Sequence, residues 1–408
     1  MAFTFYDTII PMGIFSKDKD TEKLILVFYV GSSSVGGAFF QTQKSGIPKI
    51  IFSIREPIAL EDNIEPERFL ASTMKSLEIV ARLVHNAGVG VPEEVFCVLS
   101  SLWYVSQTRI IKLEKNTPFV FTSKLADSLI QKEVSIFEEE HSVKYAASGS
   151  PVRLIELKNI KTVLNGYETL NPINQKTREL EMTIFVSISS EDILGKIEKI
   201  VGKHFNEKKV NFSSFALASF AVVRDMYIQS ENFLLINIGG EVTDISMVKK
   251  NILRESISFP LGSNFMVRGV ASSVKYSLDE AKSAISLVKD GHATNAVSEK
   301  LGPVINKLKT EWLHNFQSSL SNLSNDISVP ATIYLAVDKD LADFFSEIIK
   351  TEQFNQYTLT DSKFKINFLG PELFHGLAKF EDNIIRDTFL IINSVYINRF
   401  LINPLKSR

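Results

Sequence analysis

Two short stretches carry the residues best suited to chemistry. The first is Tyr29-Val30-Gly31-Ser32-Ser33-Ser34-Val35-Gly36, and the second is Asn237-Ile238-Gly239-Gly240-Glu241-Val242-Thr243-Asp244. Small residues let backbone N–H groups approach a phosphate closely, and serine hydroxyls add donors. Either stretch alone reads as a plain β-turn. Two such turns facing each other would clamp the phosphates of a nucleotide. The candidate binding residues are therefore Gly31, Ser32, Ser33, Ser34, Asn237, Gly239, Gly240, Thr243 and Asp244. No acid–base partner lies near the serines in sequence, so a serine nucleophile has no support. The six histidines, at 85, 141, 204, 292, 314 and 375, form no HxxxH or HExxH pattern, and no metal site is expected. Cys97 lies in an apolar run and reads as an inert core thiol. No catalytic residue is assigned.

The elements that must position these turns alternate between strand and helix. Residues 24–30 (LILVFYV) form a continuous apolar run, as a strand buried on both faces should. A second apolar strand follows from Val35 to Phe40. Pro66 opens a helix whose apolar residues recur at helical spacing, and residues 95–99 give another buried strand. Residues 233–248 (FLLINIGGEVTDISMV) repeat the motif of strand, glycine turn and strand. Helices are expected near 263–276, 279–289 and 294–324, and an apolar helical stretch near 383–402. Repetition of this kind implies two related α/β lobes with a cleft between them, where a ligand would sit.

Composition narrows the function. The 408 residues contain 45 Lys+Arg against 47 Asp+Glu and one Cys. Near-neutral charge argues against a nucleic-acid surface, and a single cysteine excludes a disulfide scaffold. No run of 18 apolar residues suggests a transmembrane segment, and the N-terminus lacks the order of a signal peptide. A cytoplasmic protein is expected.

The arrangement of both turns resembles the actin-like ATPase superfamily, in the branch that holds the cell-division protein FtsA and the pilus-assembly protein PilM. VGSSSV resembles that branch's first phosphate loop and NIGGEVTDISMV its second. LNGYETLNP followed by RELEMTIFVSIS resembles the stretch leaving the small subdomain inserted in the first lobe, and Met12 to Lys17 resembles the opening of PilM-type chains. SLDEAKSAISLVKDG resembles the helix that supplies polar groups near the ribose, which adds Glu280 and Lys282 to the candidates. The resemblance implies an α/β fold of two actin-like (ribonuclease H-like) lobes with a small inserted α+β subdomain. Its expected divisions are an N-terminal segment at 1–23, the first lobe at 24–115 and 183–230, an inserted SHS2-like subdomain at 116–182, the second lobe at 231–370, and a helix at 371–408 closing the first lobe.

The departures bear on activity. The resemblance implies an Asp two residues before the first loop's glycine, where this chain has Tyr29. It implies a Lys after the loop's Val, where Gly36 stands, and an Asp opening the second loop, where Asn237 stands. Glu241 replaces a third glycine, and Val337-Asp338-Lys339 replace a glycine-rich turn by the adenosine. In the family the two aspartates hold hydrated Mg²⁺, which prefers anionic oxygens. Glu241 would set a like charge beside a γ-phosphate, costing on the order of 4 kcal/mol at about 4 Å and an effective dielectric near 20. ATP with Mg²⁺ is the one cofactor implied, and its binding is expected to be weak or lost. The expected function is an adaptor of the FtsA/PilM type at the cytoplasmic face of the membrane. It would bind a pilus or division protein there, with self-association as a further option. The alternatives are an active, filament-forming Mg-ATPase and, with less support, a sugar or acetate kinase. The apolar stretch within Asp387–Arg408 runs nearly all round its helix, which favours a buried closing helix over a membrane anchor. Phe3, Phe5, Ile9, Ile10, Met12, Ile14 and Phe15 are the other candidates for membrane or partner contact.

Overall fold

A computed structural model describes residues 22–145, 151–206, 208–323, 328–351 and 363–403. The N-terminal candidates Phe3 to Phe15, the Met12 to Lys17 stretch and residues 404–408 of the closing stretch lie outside these residues. Strand β1 (Leu24–Val30) is apolar throughout and takes the middle of a six-stranded sheet. β2 (Ser34–Gln41) and β3 (Lys49–Pro57) continue antiparallel on one side. Helix α1 (Pro66–Asn86) has Pro at its first turn and buries Leu77, Val80, Ala81 and Val84 along one stripe. It crosses over to β4 (Glu94–Leu99), which lies parallel to β1.

The chain then leaves the lobe. β5 (Val105–Val120), α2 (Ser123–Tyr145), β6 (Val152–Leu164), β7 (Tyr167–Glu168) and β8 (Lys176–Ser190) build a separate four-stranded antiparallel sheet. The sheet order is β5-β8-β6-β7, and Phe121, Phe137, Met182 and Ile184 lie in its own core. The expected limits of this insertion, 116 and 182, fall inside β5 and β8. The reason is visible in the burial: Gln107, Ile110, Lys112 and residues 114–118 of β5 are exposed, so the strand offers little apolar signal before Phe119.

Helix α3 (Glu191–His204), β9 (Val210–Ser214, parallel to β4) and α4 (Phe215–Met226) return to the first lobe. The second lobe repeats its plan. β10 (Phe233–Ile238), β11 (Thr243–Lys249) and β12 (Ile252–Phe259) are antiparallel neighbours, followed by α5 (Ser263–Val274), α6 (Leu278–Lys289) and α7 (Asn295–Leu323). β13 (Thr332–Ala336), α8 (Ala342–Lys350) and β14 (Lys365–Phe368) add parallel strands beyond β10. The orders β3-β2-β1-β4-β9 and β12-β11-β10-β13-β14 are therefore the same, strand for strand and sense for sense. β15 (Lys379–Phe380) widens the first sheet beside β3.

Helix α9 (Thr388–Tyr396) ends in a π-helical turn at Ile397–Ile402. All nine residues of α9 are buried. With α4 it fills the space between the two sheets, where Phe215, Phe389, Val395 and Tyr396 share one apolar core with Phe233, Leu235 and Tyr334 of the second lobe. Among the described residues, no helix is long and apolar enough to cross a membrane.

Candidate functional site

Both glycine turns are tight ends of antiparallel hairpins. β1 and β2 pair up to Val30–Val35, and Gly31 N donates to Ser34 O at 3.0 Å. β10 and β11 pair up to Ile238–Thr243, and Gly239 N donates to Val242 O at 2.9 Å. The registers make Tyr29 equivalent to Asn237, Ser32 to Gly240, Ser33 to Glu241, and Gly36 to Asp244.

The turns do not face each other across an open groove; they touch. Glu241 N donates to Ser32 Oγ at 3.2 Å. A β-carbon built on Gly239 would lie 2.5 Å from Ser32 Oγ, and one on Gly240 2.6 Å from Ser32 O. Only glycine permits that approach, so the residues read as a phosphate cradle serve a backbone-to-backbone contact. Beside the turns, a buried cavity of about 20 Å³ is lined by Tyr104, Phe215, Asn237, Asp244 and Ser246 among others. That is room for about one water, against roughly 300–1,000 Å³ for a small-molecule site. A triphosphate does not fit between the turns as they stand.

The expected charges are also rearranged. Glu241 is 6% exposed and bidentate to Arg268 of α5, with Arg268 Nη1 at 2.8 Å and Nη2 at 2.5 Å, while Asn264 Nδ2 donates at 2.7 Å. The sequence reading gave Glu241 a repulsive role towards phosphate; here its charge is matched within its own lobe. Arg268 Nε also donates to Glu61 O of the first lobe at 2.8 Å. The cation missing at Gly36 is supplied from the next strand. Arg55 of β3 stands opposite Gly36, and register partners point to one face of a sheet. A side chain at 36 would begin 3.1 Å from Leu390. The Arg55 guanidinium reaches Ser34 Oγ at 2.5 Å, Asp387 at 3.0 Å and Asp338 of the second lobe at 2.5 Å. Burial works against its charge, but Asp387 and then Asp338 outweigh that and raise its pKa. Asp387 itself caps α9, accepting from Leu390 N, and burial raises its pKa against the pull of Arg55.

Tyr29 fills the place where the resemblance put a metal-holding carboxylate. Its ring stacks on Phe389 at 5.0 Å and tilts against Phe215 at 5.4 Å, and burial pushes its hydroxyl pKa up. Asp244 accepts from Ser258 Oγ at 2.7 Å, from Asn237 Nδ2 at 3.1 Å, and from Ser101 Oγ of the first lobe. Burial raises its pKa, and the Ser101, Ser258 and Asn237 hydrogen bonds oppose the rise. Asn237 Oδ1 is buried without a partner. These groups form a closed interlobe contact, and a hydrated magnesium ion does not fit it.

Other candidates lie outside the contact. Thr243 Oγ1 donates to Leu261 O at 2.7 Å and accepts from Trp312 in the second lobe's core. Glu280 forms a capping box with Ser277, its carboxylate accepting from Ser277 N at 2.7 Å. Lys282 is exposed, and no hydrogen bond or ion pair of the described residues joins it to either turn. No group of three or more His, Cys, Asp or Glu among the described residues is placed to hold a metal. Arg55, Asp338, Asp387, Arg268 and Ser101 were missed by the sequence reading. The pairing of β2 with β3 would have found Arg55, because it sets an arginine beside the glycine that replaces a basic residue.

No protein-family model and no curated protein matches the chain. Among solved structures, a chain of a PilM–PilN type IV pilus biogenesis complex superposes with a TM-score of 0.58. It does so over 93% of this chain and 98% of that one, at 12% identity. The ethanolamine utilization protein EutJ from Carboxydothermus hydrogenoformans gives 0.43 over 94% and 92%, at 10% identity. A Bacteroides thetaiotaomicron protein with an actin-like ATPase fold gives 0.41 over 90% and 95%, at 8% identity. At such identities the likeness is one of fold. The chain has the two-lobed actin-like ATPase fold, and its fold is similar to that of a chain in the PilM–PilN complex.

Proposed function

We propose that the protein is a non-catalytic adaptor with an actin-like fold, in which the former nucleotide cleft serves as a contact between the lobes. The observation that carries this reading is Ser32 packed onto the Gly239–Gly240 backbone, with Glu241 N donating to its hydroxyl. Hydrolysis in nucleotide sites of this kind depends on a metal that spreads the developing charge. Here Tyr29 and Asn237 stand where its acids are expected, and a fold persists without the chemistry it once hosted.

The adaptor would act at the cytoplasmic face of the membrane by binding a protein component of a pilus or division assembly. Support comes from the shared fold with a chain of the PilM–PilN complex over nearly the full length of both. Titration of purified protein with Mg-ATP tests the first part. The expected result is no heat of binding at millimolar nucleotide and no phosphate release; micromolar affinity with turnover would overturn it and revive the filament-forming ATPase. Co-purification from cells, with and without the membrane fraction, tests the second part. Recovery of an inner-membrane pilus or division protein is expected, and a wholly soluble partner set counts against it.

A further inference from the structure

We infer that the cleft is locked shut by the protein's own side chains, and that Arg55 is the chief fastening between the lobes. The inference rests on the adaptor reading and deepens it by naming what controls opening of the same cleft. Arg55 belongs to the first lobe and grips two acids at once. One is Asp387, whose Oδ2 lies 3.0 Å from the guanidinium while its Oδ1 caps the helix packed between the sheets; the other is Asp338, whose Oδ1 lies at 2.5 Å just beyond strand β13 of the second lobe. Ser34 Oγ and Ser33 Oγ accept from the same guanidinium at 2.5 and 3.4 Å, so the first turn is tied to it as well. The planar fork of arginine suits this work, because several acceptors can be held in fixed directions by one charge.

A second arginine works in the opposite direction. Arg268 of the second lobe is fixed by Glu241 and donates to Glu61 O of the first. Each lobe therefore extends an arginine to the other, on either side of the glycine contact. Around them, Ser101 donates to Asp244 across the same boundary, and Thr108 Oγ1 of the inserted subdomain donates to Leu253 O of the second lobe at 2.8 Å. In a nucleotide-dependent clamp a phosphate ligand bridges the turns. Here the Arg55–Asp338 ion pair and the hydrogen bond from Arg268 to the Glu61 carbonyl join the lobes beside the turns, so closure needs no ligand, and opening requires the Arg55–Asp338 pair to separate.

The test uses spin labels on the full chain at Glu67→Cys in α1 and Ser283→Cys in α6, both exposed positions on opposite lobes. Cys97 is buried and leaves labelling to the introduced pair. The parent distance distribution should be single, narrow and unchanged by Mg-ATP. Asp338→Asn removes the crossing arm and leaves Arg55 its partner Asp387, so the fold is kept; the distribution should broaden and lengthen. Arg55→Gln should lengthen it further, and Arg55→Lys, which keeps the charge without the fork, should fall between. If Asp338→Asn and Arg55→Gln both reproduce the parent distribution, the latch is overturned. Should Arg55→Gln fail to fold, Asp338→Asn alone decides. A parent distance that shifts on adding Mg-ATP overturns the adaptor reading instead, and the Asp338→Asn result still judges the latch.

Discussion

The first turn offers serine at three successive positions, Ser32, Ser33 and Ser34, and draws its charge from Arg55 on a neighbouring strand. The second offers two glycines and then Glu241, and draws its charge from Arg268 on the helix that follows. The backbones are alike, with the same hairpin register and the same closing hydrogen bond. What differs is which turn presents bulk and which presents space. Ser32 is the projection and Gly239–Gly240 the hollow that receives it. A pair of turns that both presented space would leave a cavity for phosphate; a complementary pair makes an interface.

That asymmetry is easiest to break at the equivalent positions Ser33 and Glu241. Glu241→Ala leaves the partly buried Arg268 guanidinium without its carboxylate and should cost about 1.5–3 kcal/mol of unfolding free energy. Ser33→Ala, in the same place on the first turn, should cost about 1 kcal/mol or less. Denaturant unfolding of the two variants measures the difference, and equal losses would mean the turns are not asymmetric in this way. Gly240→Ala pushes a methyl group towards Ser32 O and should destabilise by roughly 1–3 kcal/mol. A neutral melting temperature there would show that the contact yields easily. Gly195→Ala is the control glycine: it lies in α3 with nothing within 4 Å of an added β-carbon. It should stabilise by about 0.5–1 kcal/mol, as Gly does when replaced by Ala in a helix.

The smallest expected effect is a change of slope. Asp244 has its native pKa raised by burial, against the hydrogen bonds from Ser101, Ser258 and Asn237. The native state then holds a proton that the unfolded chain has already released. Stability contributed by Asp244 therefore falls as pH rises from its ordinary value through the raised one. Asp244→Asn removes that slope, and Asn237 can turn its unpartnered Oδ1 towards the new amide. Stability curves from pH 4 to pH 8 check this; parallel curves for parent and variant would refute it.

Much of the plan was legible in the chain. The apolar runs at 24–30 and 233–238 are central strands, and their glycine ends mark the two hairpins, because a strand buried on both faces must be apolar at every position. The strand β5 was harder to see, since its exposed residues hide the alternation. The candidate residues were half legible. Ser32, Gly239 and Gly240 do meet at one place and Asp244 reaches the first lobe through Ser101, whereas Gly31 stays within its own hairpin, Glu280 caps its own helix and Thr243 faces its own core.

The sequence by itself settled that there would be two lobes of one plan and that the aspartates implied at 29 and 237 were absent, because strand periodicity and residue identity are local properties. Whether the turns would hold a ligand or hold each other was left to the tertiary structure. Arg55 meets Asp338 across 283 positions of sequence, and Arg268 meets the Glu61 carbonyl across 207. Spacing along a chain carries no information about charges that come together only when two sheets pack on the same pair of helices, and it is those charges that decide which side of the cleft is filled, and by what.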